Sequence, residues 1–164
     1  MRILVFDPSG NYFEGKGTTG WALYYNGQLT SIGQIRAIET DSQIIYWKEH
    51  LTLIEALKPD VLVVEEYILF ASAKKAQIGS SFETIQLIGI LKYYCDLNNI
   101  KIVAQPALIK NRYTNEILIH KGIITQDAQK HYYALGIQTT RHILDAIRHG
   151  EYYLQFNKKK KVKL

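Results

Sequence analysis

Apolar residues in this chain fall into short continuous runs near the start and recur at helical spacing further on. Residues 3–7, ILVFD, are an apolar run closed by a carboxylate, with Pro8, Ser9 and Gly10 behind it as turn formers. This predicts a buried strand that delivers Asp7 at its end. Gly15, Gly17 and Gly20 punctuate a polar stretch before WALYY, residues 21–25, and Asn26-Gly27 is a hairpin signal ahead of LTSIGQI. Three adjacent antiparallel strands follow from that pattern. From Gln43 to Lys58 the residues Ile44, Trp47, Leu51, Ile54 and Leu57 recur three and four apart, as on an amphipathic helix, and Pro59 ends it. VLVV at 61–64 is another short apolar run, delivering Glu65 and Glu66. A strand reached through a helix predicts a parallel addition to the first sheet.

Beyond it, Phe82, Ile85, Leu87, Ile88, Leu91 and Tyr94 predict a long helix over 80–96, with Gly89 allowing close approach of another element. KIVAQP, 101–106, predicts a further strand stopped by Pro106. Two more helical patterns run over about 107–120 and 126–135, separated by Gly122, and a last helix covers about 139–154. Strands first, then strands and helices in alternation, predict an α/β domain with a mixed central sheet flanked by helices.

Composition narrows this picture. At 164 residues with 47% apolar and 21% charged residues, the chain has the length of one domain and the material for a core. Net charge is +5, but five lysines (Lys158, Lys159, Lys160, Lys161 and Lys163) lie in the last seven residues, and the rest has 15 basic against 15 acidic residues. Such a tail suits a polyanionic partner or a solubilising terminus. The single cysteine, Cys95, excludes an intrachain disulfide framework and fits a reducing compartment. There is neither an apolar run long enough for a membrane span nor a signal-peptide pattern, so an intracellular protein without membrane attachment is expected.

The candidate chemistry lies at the ends of elements. Asp7 and Glu65 end strands, and His142 and Asp145, three apart, share a face of the last helix with His149 one turn further on. Carboxylates gathered at strand ends repel unless a cation neutralises them. Oxygen ligands favour Mg²⁺ or Mn²⁺, and two such ions can activate water for phosphodiester hydrolysis. Each residue also has a plain explanation: Asp7 as a turn former, Glu65 and Glu66 as a solvated strand end, His142 and Asp145 as ordinary helix residues.

Taken in order, these segments resemble the RuvC-like crossover junction endonucleases of the ribonuclease H-like superfamily. ILVFDPSG followed by TGWAL resembles the family's opening strands, PDVLVVEEYIL its strand bearing the catalytic glutamate, and HILDAIRHG its closing helix. The resemblance spans residues 2–154 and implies a ribonuclease H-like fold with a five-stranded mixed sheet. It implies a single nuclease domain over 1–154 and a flexible basic tail over 155–164. Asp7, Glu65, His142 and Asp145 take the catalytic and metal-binding roles, with two Mg²⁺ ions, Mn²⁺ as a substitute, and no protein nucleophile.

Two segments depart from the family. GNYFEGKGT, 10–18, lengthens the first loop and offers Tyr12, Phe13 and Lys16 as DNA contacts or as a tolerated surface insertion. Where the family often carries a stacking aromatic after the glutamate, Ile68 stands between Tyr67 and nearby Phe70. Phosphate contacts are expected outside the carboxylate cluster, from Lys110, Arg112 and Lys130 and from Lys74 and Lys75. The resemblance further implies a homodimer built on the 80–96 helix, acting on four-way DNA junctions. The A·T-rich flavour of the composition and the short form suggest a phage or prophage protein in a bacterial cytoplasm. Two other functions fit the same residues: a broad-specificity phage debranching nuclease cutting forks and flaps, and a non-catalytic branched-DNA binding module.

Overall fold

The computed structural model describes residues 1–67 and 82–158. Strands β1 (Arg2–Asp7), β2 (Thr18–Tyr25) and β3 (Gln28–Arg36) form an antiparallel meander. Strands β4 (Val61–Glu66) and β5 (Lys101–Pro106) add in parallel on the other side of β1, giving the order β3-β2-β1-β4-β5. Helix α1 (Gln43–Leu57) leads into β4 and helix α2 (Glu83–Leu97) into β5. The Ser42 hydroxyl accepts from the Ile45 amide to start α1, and Lys58, at φ 47°, turns the chain out of it before Pro59.

Both faces of the sheet are covered, which is why β1 and β4 read as continuous apolar runs rather than alternating ones. Ile3, Val5, Val61 and Val63 point to one face and pack with Ala22, Tyr24 and Ile143, Leu144 and Ile147 of the last helix, α5 (Arg141–Lys158). Leu4, Phe6, Leu62 and Val64 point to the other, against Tyr46, Trp47 and Ile54 of α1 and Leu87, Leu91 and Cys95 of α2. Each such side chain, once fully buried, stabilises the fold by about 1.5–3 kcal/mol. Side chains alternate with period two, so Asp7 and Glu65 fall on the α5 face, continuing the odd-numbered series.

α5 lies close against β2 because two glycines leave room for it. A Cβ on Gly20 would stand 2.1 Å from the carbonyl of His142, and one on Gly150 would stand 2.3 Å from the Tyr24 ring. Tyr24, fully buried, donates its hydroxyl proton to the Ile147 carbonyl at 3.1 Å.

Three expectations differ from the structure. The segment 126–135 is not helical: β6 (Thr125–Gln126), β7 (Tyr132–Ala134) and β8 (Ile137–Gln138) make a small antiparallel sheet. Asp127 accepts the His131 amide at 2.8 Å and Lys130 adopts φ 67°, which closes the first turn. Leu135 and Gly136 both have positive φ, the geometry that closes a tight hairpin. The expected 107–120 helix is two short ones, α3 (Ile109–Arg112) and α4 (Asn115–His120), separated where Tyr113 and Thr114 leave helical geometry. Gly89 lacks the close neighbour expected of it, since among the described residues nothing lies within 4 Å of a Cβ there. In addition, α5 continues to Lys158, past the expected end at 154. Among the described residues no helix is long and apolar enough to cross a membrane.

The two kinds of glycine make opposite predictions. Gly20→Ala forces α5 away from β2 and is expected to lower stability by about 1–3 kcal/mol, as overpacking does. Gly89→Ala, in open space on a helix, should raise it by about 0.5–1 kcal/mol. Urea unfolding of both variants followed by circular dichroism checks the pair.

Candidate active site

Parity and register assemble the site before any side chain is considered. Phe6 pairs with Val64 in the parallel register, and Glu65 pairs with Gln105. The ends of β1, β4 and β5 therefore bring Asp7, Glu65 and Gln105 side by side beneath α5. From above, α5 supplies His142, Asp145, Arg148 and His149.

The Lys110 ammonium, carried on α3 just after β5, stands among three carboxylates. Its Nζ lies 3.2 Å from Asp7 Oδ1, 2.7 Å from Glu65 Oε2 and 2.8 Å from Asp145 Oδ2. Each carboxylate then has a second partner. His142 donates from Nδ1 to Asp7 Oδ2 at 2.7 Å. Arg148 donates to Asp145 Oδ1 and, with its other terminal nitrogen, to the side-chain oxygen of Asn115. His149, fully buried, donates from Nε2 to Glu65 Oε2 at 2.8 Å, while its Nδ1 lies 2.8 Å from Gln105 Oε1.

The plain explanations for the acidic residues do not survive this geometry. Asp7 does not serve its own turn, because the Ser9 amide donates instead to the Thr19 hydroxyl at 3.0 Å. That turn is held from behind: Tyr46 donates to the Ser9 carbonyl at 2.6 Å and His50 Nε2 meets Thr19 Oγ1 at 2.8 Å. Burial lowers the His50 pKa to about 4, so it holds the turn as a neutral ring. Asp145 is 2% exposed, which no solvated helix position would be. Of the two glutamates ending β4, Glu66 is exposed and Glu65 is the one drawn inward.

The carboxylates are not equivalent. Burial raises the Asp7 pKa, and the His142 hydrogen bond and Lys110 only partly offset the burial and the neighbouring Glu65 and Asp145 charges. Burial acts on Glu65 in the same sense, but hydrogen bonds from His149 and Lys110 outweigh it and hold its pKa at about 2. For Lys110 burial opposes the charge, and the Asp7, Asp145 and Glu65 carboxylates overcome it and raise its pKa. The bond to Asp7 raises that of His142 against a smaller opposing effect of burial.

Lys110 was expected outside the cluster, as a phosphate ligand; it lies inside it, as the cluster's cation. Gln105, Arg148 and the partners of His149 were not anticipated, although Gln105 shares the parity of Glu65 across one register step and Arg148 lies three residues from Asp145. Of the other candidates, Tyr12 packs on Tyr46 and donates to the Thr40 carbonyl at 3.1 Å, an internal contact. Phe13 is 71% exposed beside exposed Lys16, and Tyr67 lies just past β4. Arg112 is exposed at the end of α3, and exposed Lys130 belongs to the turn between β6 and β7. Ile68, Phe70, Lys74 and Lys75 lie outside the described residues.

A polar cleft of about 510 Å³ opens beside the cluster, lined among others by Lys110, Asn111, Thr114, Asn115, Arg141 and Arg148. The donor set suits a hard divalent cation: three carboxylates already converge on one positive charge. Among the described residues, however, no three Asp, Glu, His or Cys side chains are drawn together as a ready-made metal cage. They are spaced around an ammonium.

No protein-family model and no curated protein matches the chain. Solved structures do. The fold is similar to that of Thermus thermophilus RuvC in complex with Holliday junction substrate, with a TM-score of 0.67 at 13% identity over 99% of this chain and 97% of that one. A second structure of the Thermus thermophilus protein matches with a TM-score of 0.64 at 12% identity, over 98% of this chain and 97% of that one. The mixed five-stranded sheet and its flanking helices are thus the ribonuclease H-like fold of RuvC.

The unequal carboxylates predict a two-sided pH dependence in chelating buffer. Glu65, depressed from 4.5 to about 2 in the folded state, contributes stability above pH 4.5 that is lost as pH falls toward 2. His142, raised from 6.5, contributes below pH 6.5 and loses that contribution as pH rises through its folded value. Glu65→Gln is expected to flatten the acid limb and His142→Asn the limb above pH 6.5 in thermal melts recorded across pH.

Proposed function

We propose that this chain is a metal-dependent, structure-selective endonuclease that resolves four-way DNA junctions by paired phosphodiester hydrolysis. The observation that carries this reading is the convergence of Asp7, Glu65 and Asp145 on one cationic centre, with His142 on Asp7. It is supported by the likeness of the fold to a protein solved in complex with Holliday junction substrate.

In this mechanism Asp7, Glu65 and Asp145 supply the oxygen donors for divalent ions, Mg²⁺ or Mn²⁺, two to a site. Bound there, such ions supply an activated water and charge neutralisation at the departing oxygen. The chain's own groups position and protonate. His142 commits Nδ1 to Asp7, which leaves Nε2 as the nitrogen that takes up or releases a proton. His149 and Arg148 hold Glu65 and Asp145 at fixed orientations, so little reorganisation is needed as charge develops. Arg141, 87% exposed on the first turn of α5, and the adjoining polar cleft offer the DNA backbone its contacts.

Cutting two opposed strands of a two-fold symmetric junction calls for two sites, hence a C2 homodimer. The supporting feature is α2: Leu87, Ile88, Leu91 and Cys95 face the core, whereas Ile85, Gly89, Tyr93 and Leu97 follow one another four apart along an exposed stripe.

The expected result with a labelled immobile junction is symmetric paired cleavage in Mg²⁺ or Mn²⁺, none in EDTA, and a loss of at least about a hundredfold in Asp7→Asn, the scale of removing one transition-state stabilising group. Equal cutting of forks, with unbranched duplex spared, would move the assignment to a debranching nuclease, and junction binding without turnover would make it a binding module. Gly89→Arg, at a position where a Cβ meets none of the described residues within 4 Å, is expected to yield monomers by light scattering that retain the fold and lose coupling between the two cuts.

A further inference from the structure

Lys110 is in the wrong place for a residue that only contacts DNA. Its Nζ makes three carboxylate contacts of 2.7–3.2 Å, so all three of its protons have acceptors within the protein. Its side chain is 22% exposed, against 2% for Asp145 beneath it. The three acids it touches are those that the proposed function assigns to metal binding. Magnesium-type ions bind carboxylate oxygen at about 2.0–2.1 Å. An ammonium held between the same oxygens occupies the space such an ion needs and repels it.

We propose that Lys110 is the resident cation of this site, which a divalent ion must displace in order to bind. This rests on the metallonuclease reading and adds to it a residue that sets metal affinity in the opposite sense to a ligand. With the ammonium in place the three acids share one positive charge and are held together without metal, spaced around a nitrogen rather than closed into a cage. The adjoining cleft, lined by Asn111, Thr114, Asn115 and Glu116 as well as by Arg141 and Arg148, is the open space beside Lys110 into which its side chain would move. The cost is affinity, because every ion that enters must first break three charge-assisted hydrogen bonds.

Substitutions among metal-site residues ordinarily weaken metal binding; this one is expected to strengthen it. Titration calorimetry with Mn²⁺ on the full chain should give Lys110→Met a dissociation constant lower by on the order of tenfold or more, since a like charge at contact distance is removed. The metal-free variant should melt at a lower temperature than the parent and recover the difference when Mn²⁺ is added. A second measurement uses the unaltered protein: acetylation of Lys110 by an amine-reactive reagent, followed by mass spectrometry, should be slow without metal and accelerate with Mn²⁺. Equal or weaker Mn²⁺ binding by Lys110→Met, or Mn²⁺ binding to the parent with no change in Lys110 acetylation, overturns the inference and leaves the metallonuclease reading standing. No Mn²⁺ binding by either protein overturns both.

Discussion

Three clustered carboxylates, two at strand ends and one on the helix above them, are a liability that the rest of this fold is arranged around. Two like charges 4 Å apart at an effective dielectric of about 20 repel by about 4 kcal/mol, and here three acids share one positive neighbour. The Lys110 ammonium turns that repulsion into attraction. It does so only because β5 ends at Pro106 and α3 follows at once, which brings residue 110 back over the strand ends. Asp7 and Glu65 come from the sheet and Asp145 from the helix above it, so docking α5 and completing the cluster are one event. Gly20 and Gly150 determine how close that docking is; His142 and Arg148 then occupy the second oxygens of Asp7 and Asp145, and His149 meets the Glu65 oxygen that Lys110 also touches.

Much of this was legible in the sequence. Apolar runs ending in acids gave β1 and β4 together with the carboxylates they present, because a strand buried on both faces leaves a continuous signature. His142 and Asp145 were placed on one helix face by spacing alone. The misread parts have a common cause. Lys130 and Leu135 take positive φ without being glycine, so the turns that fold 125–138 into a hairpin carried little compositional signal and an approximate helical period prevailed. Lysine is usually a surface cation, which is why the sequence points to Lys110 as a phosphate contact outside the cluster. The sequence shows that a lysine follows the strand; it does not show that a four-residue helix directs its amine inward. The same holds for Gln105 and His149, whose meaning depends on the register between β4 and β5.

The fold likeness at 13% identity is intelligible in these terms. Little of the chain needs particular residue types for the architecture: apolar positions of suitable volume on two faces, small residues where α5 crosses β2, and turn formers at the ends. Such requirements are met by many sequences. The site is less tolerant, since moving a strand by one residue would turn Asp7 or Glu65 to the opposite face, toward α1 and α2. An acid at the end of β1 and another at the end of β4, both in odd register, is therefore a stronger statement about chemistry than the overall superposition.

The three acids are not held alike. Glu65 has Lys110 at 2.7 Å and His149 on the same oxygen, and its charge is strongly favoured. Asp7 has Lys110 only at 3.2 Å, and burial together with two anionic neighbours leaves its charge disfavoured despite His142. A divalent ion that takes the place of Lys110 brings one more positive charge and so favours ionised Asp7, while Glu65 keeps its hydrogen bond from His149. On the metallonuclease reading, this makes Asp7 the acid whose ionisation depends most on an incoming ion and Glu65 the acid prepared in advance. The division follows from the placement of two side chains, His149 beside Glu65 and Lys110 nearer to Glu65 than to Asp7, and not from any difference in the intrinsic strength of the acids.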